Sequence, residues 1–150
     1  MGSKAKTDSV GIFVAEKWVG VSVERHGERV LVLKMVLGDC LLNVFMVYAP
    51  HSGKPDEEKE RFWNEVFYLG SCIPQNEMVV FAGDMYWHIG SSNVGYDGIH
   101  GGFGYGSRNT DGSRILEFAD GLNLVICNTL FTKQLSQAGN ICGWTGEKYS

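Results

Sequence analysis

The chain has no C-x-x-C pair, and its four cysteines, Cys40, Cys72, Cys127 and Cys142, lie far apart with no secretory leader ahead of them. That pattern argues against a disulfide frame or a zinc site and for reduced thiols, so a nuclear or cytoplasmic protein is expected rather than a secreted one. No apolar run is long enough to span a membrane, and no membrane partner is expected. A phosphate loop of the form G-x-x-x-x-G-K-S/T is missing, as is a G-x-G-x-x-G that opens a helix directly after a strand, which removes the common nucleotide-binding loops. Gly-x-Ser-x-Gly is missing too, and with it the simplest serine hydrolase. Neither sign of charge dominates. The formal charge is -4, but Asp56 to Glu65 alone holds five acids against two bases, leaving 12 acids against 11 bases elsewhere. The total therefore neither predicts nor excludes a phosphate-bearing substrate. There is no internal repeat and no linker, and 150 residues at 44% apolar and 20% charged suffice for one domain around one core.

What is present is organised around Val79 to Gly90, VVFAGDMYWHIG. A short apolar run that stops at Gly-Asp reads as a buried strand whose carboxyl end delivers a carboxylate to an edge, where α/β proteins place chemistry. Ahead of it, residues 1–9 read as a frayed polar tail, with Lys6 where a myristoylation signal wants Ser or Thr. Val10 to Ala15 and Val19 to Glu24 read as strands, the second half-buried, with a turn at His26-Gly27-Glu28. Val30 to Leu37 and Leu41 to Tyr48 flank Gly38-Asp39-Cys40 as an antiparallel hairpin, and their near-continuous apolar character predicts burial on both faces. Pro55 opens a long helix with Asp56, Glu57 and Glu58 in the first turn. Its Phe62, Val66, Leu69 and Ile73 fall on one face beside Trp63 and Phe67, so the acid cluster is a solvated helix face. A helix between two strand runs predicts a crossover connection. Gly90 to Gly112 carries eight of the chain's 20 glycines and reads as a long functional or disordered loop. Ser113 to Gly121 reads as a short helix capped by Ser113 and ended by Gly121, and Leu122 to Asn128 as a strand. No element is assigned from Thr132 onward.

Asp84 at a strand end can ligate a metal, orient water as a general base, or cap the next turn. Tyr48 ends a second strand run and reaches the same edge if both strands share a sheet; otherwise it closes its strand with the hydroxyl in water. His51 and His88 lie near these edges and can bind phosphate or metal, or stay solvated. Arg108-Asn109 can touch a phosphate backbone or fix the turn before the next helix.

Three segments in one order, VFMVYAPHSGKPDEEKERFWNEV, VVFAGDMYWHIG and GGFGYGSRNTDGSRILEFADGLNLVICNT, resemble the endonuclease/exonuclease/phosphatase superfamily. Within it they are similar to the endonuclease domains of non-LTR (LINE-type) retrotransposons. The resemblance runs from Val10 to Lys133 and implies a DNase I-like two-layer α/β sandwich, with two packed sheets flanked by helices. It also implies Mg²⁺-dependent phosphodiester hydrolysis with DNA as substrate. By that resemblance Asp84 matches the aspartate of the G-D-x-N motif, which orients or deprotonates the attacking water. Tyr48 matches the tyrosine of a strand-end Y-x-P pattern, which contacts the scissile phosphate, and His88 matches a histidine frequent after the G-D-x-N motif. Asn109 joins Tyr86 and His88 as a substrate-side residue.

The departures are specific. Tyr86 stands where the family has the asparagine that holds the phosphate, so a ring and one hydroxyl replace a compact amide. The family's first strands, with an asparagine and the metal-binding glutamate, have no counterpart before Val10, and its closing Asp-His pair has none in residues 134–150. The expectation is a partial α/β sandwich lacking its first and last strands, with no metal ligand in this chain, a divergent tail at 134–150, and little or no nicking activity. Exposed edges then favour self-association. The alternative is a non-catalytic nucleic-acid or protein interaction module.

Overall fold

A computed structural model describes residues 11–14, 22–85, 88–130 and 142–145, the last as backbone only. The elements are β1 (Ser22–His26), β2 (Val30–Leu37), β3 (Cys40–Tyr48), α1 (Asp56–Ser71), β4 (Met78–Asp84), α2 (Thr110–Gly121), β5 (Val125–Ile126), a 3-10 turn (Cys127–Thr129) and β6 (Cys142–Thr145). The strands form one sheet in the order β1-β2-β3-β4-β6-β5.

The apolar β2 and β3 form the expected antiparallel hairpin, with Leu37 opposite Cys40. Its two-residue turn opens on Gly38 at φ 61°, the conformation a type II′ connection asks of its first residue. Burial on both faces holds for Val30 to Leu33, whose four consecutive side chains are buried, but not for Val36 and Leu37, which are exposed. From β3 the chain crosses through α1 and returns as β4 parallel to β3, from Leu42 opposite Met78 to Tyr48 opposite Asp84. That is the predicted crossover.

Both helices cover the sheet face that carries Val30, Val32, Phe45, Val47 and Phe81, and with Phe62, Trp63, Val66, Ile115, Leu116 and Phe118 these form one core. Phe45 stacks on Phe81 at 4.5 Å between centroids, and Phe118 meets Phe81 edge-on at 5.1 Å. Fully burying such a side chain stabilises by roughly 1.5–3 kcal/mol, and each aromatic pair adds about 0.5–1.5 kcal/mol. The acids of α1 are mostly exposed as expected, but Lys59 is not. It is buried and reaches Asp111 of α2 at 3.2 Å.

Several expectations change. Gly11 to Val14 are not a strand, and Phe13 is 97% exposed. An apolar run without a ladder partner leaves its backbone groups to water rather than to a sheet. Of the strand expected over Val19 to Glu24, residues 19–21 lie outside the described residues, and the rest is β1, extended to His26 by pairing with Val30. As the sheet's edge it is exposed from Ser22 to Arg25 rather than half-buried. α2 begins at Thr110 rather than after Ser113, because the Asn109 side chain accepts the Gly112 N–H at 2.7 Å. It ends through Asn123 at φ 56° rather than through Gly121. Gly121 answers a packing need, since a Cβ there would lie 2.8 Å from the Phe67 ring.

The strand expected over Leu122 to Asn128 shrinks to Val125–Ile126. Thr129 turns the chain by donating its hydroxyl to the Ile126 carbonyl at 2.7 Å. The segment left without an element contributes β6, which pairs antiparallel with β4 at Ala82 and Gly83 and with β5 at Val125 and Ile126. It satisfies backbone groups on the open side of β4, and four residues are too few to show a period. Residues 1–9, and 134–150 apart from β6, lie outside the described residues. Cys40 and Cys72 are free thiols.

Candidate functional site

Asp84 and Tyr48 lie opposite each other at the carboxyl ends of parallel β3 and β4, so their side chains leave the same face of the sheet. The strand ends are tied by Ala49 N–H donating to the Asp84 carbonyl at 3.0 Å. Gly83 makes this junction. Its φ is 139°, and a Cβ there would stand 1.9 Å from the Val47 carbonyl oxygen. A side chain at that position would force β4 off β3, so the glycine before the aspartate is a geometric requirement of presenting Asp84 beside Tyr48.

Arg29 also belongs to this edge, although nothing in the sequence singles it out. Its backbone carbonyl accepts the Tyr48 N–H at 2.9 Å, and its guanidinium carbon stands 5.6 Å from the Tyr48 ring centroid. Its Nη1 donates to the Tyr48 carbonyl at 3.4 Å, while Nη2 pairs with Glu58 at 3.3 Å. A permanent cation over the ring fixes the phenol's position and brings positive charge to an edge that otherwise offers one carboxylate. A strand-end phenol, a carboxylate and a nearby guanidinium can together position a phosphodiester and a water.

The remaining candidates fall on two sides. His88 is exposed, four residues past Asp84, and its carbonyl accepts the Asn109 N–H at 3.2 Å. The chain leaving β4 is thereby joined to the amino end of α2, so His88 and Asn109 are brought together. Asn109 spends its side-chain oxygen capping α2, the turn-fixing alternative. His51 is exposed and accepts the Gly53 N–H on Nδ1 at 3.1 Å, which closes its own loop. Tyr86, with Trp87, lies outside the described residues.

The glycine-rich loop has a definite fold with no regular element over residues 88–109. A Cβ on Gly104 would lie 2.0 Å from the Gly90 carbonyl oxygen, so two loop strands touch backbone to backbone there. Arg108 crosses the Tyr96 ring at 5.1 Å and donates to the carbonyls of Ile89 and Ser92. His100, 2% exposed, sits at the loop's centre. Its conspicuous glycine neighbours, Gly98, Gly101 and Gly102, were the only sequence signal for it.

An Mg²⁺ ion takes oxygen ligands, commonly one or two carboxylates with water and substrate phosphate. Among the described residues no three of His, Cys, Asp and Glu converge on a point that could hold a metal ion. Asp84 is one donor, and the other acids near the helices are spent on ion pairs. The described residues therefore do not by themselves fit a resident magnesium.

No family model matches the chain. It is similar to craniofacial development protein 2 of Bos taurus, with 37% identity over 90 residues, 60% of this chain and 15% of that protein. The same protein of Tragulus javanicus is 34% identical over 90 residues, with the same coverage. The chain thus spans about 15% of the length of these curated relatives. In three dimensions it is similar to the endonuclease domain of TRAS1, a telomere-specific non-LTR retrotransposon, with a TM-score of 0.53 and 14% identity over 85% of this chain and 56% of that one. The mixed sheet with its two helices is a partial DNase I-like α/β fold.

Proposed function

We propose that this chain, with its partial DNase I-like fold, is the aspartate-bearing part of a nuclease domain of retrotransposon origin, and that alone it nicks DNA weakly or not at all. The observation that carries the reading is the in-register pairing of Tyr48 and Asp84 at the ends of parallel strands, built on a glycine that tolerates no side chain. Asp84 holds and orients water for attack on a phosphodiester, and Tyr48, steadied by Arg29, contacts the phosphate. His88 and Asn109 border the substrate path from the amino end of α2, and Tyr86 replaces the family's asparagine. In the family magnesium neutralises the phosphate and the leaving oxygen. Among the described residues Asp84 offers only one carboxylate toward such an ion, which is why low activity is proposed. DNA is the proposed partner, in the nucleus or cytoplasm, and the exposed sheet edge at β1 is the proposed route of self-association.

The test is incubation of the purified chain with supercoiled plasmid and Mg²⁺. Little or no nicking is expected, together with a salt-sensitive shift of labelled DNA. Nicking that disappears in Asp84→Ala would overturn the proposed inactivity and keep the site. A chain that neither nicks nor shifts DNA at low salt would sink the nuclease-derived reading of the site.

A further inference from the structure

His100 plays no part in the proposed phosphodiester chemistry, yet it is the most completely enclosed titratable ring among the described residues, 2% exposed. Its two nitrogens face backbone groups of opposite kind. Nε2 lies 3.1 Å from the Gly90 carbonyl, which can only accept. Nδ1 receives the Gly102 N–H at 3.0 Å. The ring is therefore held neutral, with its proton on Nε2. These two bonds join the start of the loop to its middle. The same region is fixed to β5 by the His100 bridge to Ile126, and to the 3-10 turn after it by Gly101 N–H donating to the Thr129 hydroxyl at 2.8 Å.

We propose that His100 is a proton-operated latch on the 88–109 loop: protonation at Nδ1 sets an N–H against the Gly102 N–H and releases the loop from the β5 side of the sheet. A donor facing a donor loses the bond and, at this partly buried contact, leaves both N–H groups poorly met until the loop moves. The relief is for the loop to open and expose the ring. Because this segment runs from His88 to Asn109, opening loosens the connection between the exit of β4 and the amino end of α2. The inference does not depend on any activity at Asp84.

The surroundings favour the neutral ring. Burial is the largest influence and holds its pKa below the ordinary 6.5; the Gly90 carbonyl pulls the other way, and the Arg108 charge adds to the lowering. No carboxylate among the described residues offsets these. Asp97 on the same loop is exposed and accepts from Asn93, and Tyr96 lies under Arg108. From α2, Asp111 is paired with Lys59. From β5 and the 3-10 turn, the Cys127 thiol turns to the Val125 carbonyl and the Thr129 hydroxyl to that of Ile126. Since the folded pKa lies below the unfolded one, the latch is intact above 6.5. It weakens as pH falls below that value toward the folded pKa.

Hydrogen exchange of the full chain, read by mass spectrometry from about pH 7.5 to about pH 5 and corrected for intrinsic rates, tests this. The expected result is protection over residues 90–108 that falls by up to about tenfold per pH unit below the ordinary histidine range, with β2 and β3 unchanged. In His100→Gln the loop's protection no longer depends on pH. Flat protection in the wild type, an equal fall in β2 and β3, or an undiminished pH dependence in His100→Gln would each overturn the latch. If His100→Gln does not fold, the wild-type ring is titrated by NMR. A midpoint coinciding with the loss of loop protection supports the latch, and separate midpoints overturn it.

Discussion

Replacing Asp111 by alanine should destabilise the protein far more than replacing Lys59 by methionine, although the two residues form one ion pair. The pair bridges α1 and α2 at 3.2 Å, with side chains 7% and 12% exposed. Removing one member of a buried pair leaves the other charge uncompensated, which typically costs about 3–5 kcal/mol. In Asp111→Ala the orphan is Lys59, whose remaining contact is Asp56 at 3.7 Å, a side chain 74% exposed. A solvated partner returns at most about 1 kcal/mol. The loss of an acid from the first turn of α2 removes roughly 0.5 kcal/mol of dipole stabilisation, giving about 3–4 kcal/mol in all.

In Lys59→Met the apolar stem is kept. The orphan is Asp111, which retains Arg114 at 3.7 Å and its place in the first turn of α2, so the cost falls to about 1.5–2 kcal/mol. The double variant leaves neither charge stranded, so it should cost less than Asp111→Ala alone and well under the sum of the two single variants. Urea unfolding of the four proteins measures these differences. In thermal melts, Asp111→Ala should lower Tm by about 6–16 °C. Equal effects for the two single variants, or a strictly additive double variant, would refute the assignment of Lys59 as a charge that depends on Asp111.

Three further outcomes follow from the site and its supports. Asn109→Ala should cost about 1 kcal/mol through the lost cap, and Asn109→Asp close to nothing; if DNA binding, scored by gel shift, falls in the aspartate variant while stability holds, Asn109 meets substrate as well as capping α2. Gly83→Ala should cost at least about 2 kcal/mol in urea unfolding and weaken DNA binding, because a side chain at φ 139° meets the Val47 carbonyl and moves Asp84 from Tyr48; a neutral result would refute the close approach of β3 and β4. Glu77 accepts from Asn43 at 2.8 Å and pairs with Lys34 at 2.9 Å, and first Asn43 and then Lys34 hold its carboxyl below the ordinary 4.5. A depressed folded pKa gives stability that is present above 4.5 and lost as pH falls through the folded pKa, so acid unfolding should begin at higher pH in Asn43→Leu than in Lys34→Met if the larger influence is the amide.

The hairpin, the crossover helix and the strand ending at Asp84 were legible because each is specified by its own residues. The β2 and β3 runs are apolar along their length, α1 repeats its apolar residues at helical spacing, and Gly38 supplies the turn. Gly83 was legible as a stop but not as a contact, since the Val47 carbonyl that forbids a side chain there belongs to a strand 36 residues earlier. Separation in sequence, here 19 residues, also hid Arg29, which carries no signal until β2 and β3 pair and lay it over Tyr48.

Residues 88–109 carry no period at all, because their order comes from pairs that only the finished fold creates: Gly90 against Gly104, Arg108 over Tyr96, and His100 between Gly90 and Gly102. Glycine-rich composition therefore stood for two opposite things in one chain. At Gly38 it marks a turn read locally, whereas in the loop it marks places where backbone must touch backbone. The segment anchors few apolar side chains in the core, Ile99 with Ile89 and Tyr96 beside it, and is otherwise held by polar and backbone contacts that resist opening less than packing does. It is also the segment that joins the exit of the Asp84 strand to α2, so opening of the proposed latch at His100 loosens the chain next to Asp84 rather than a remote surface.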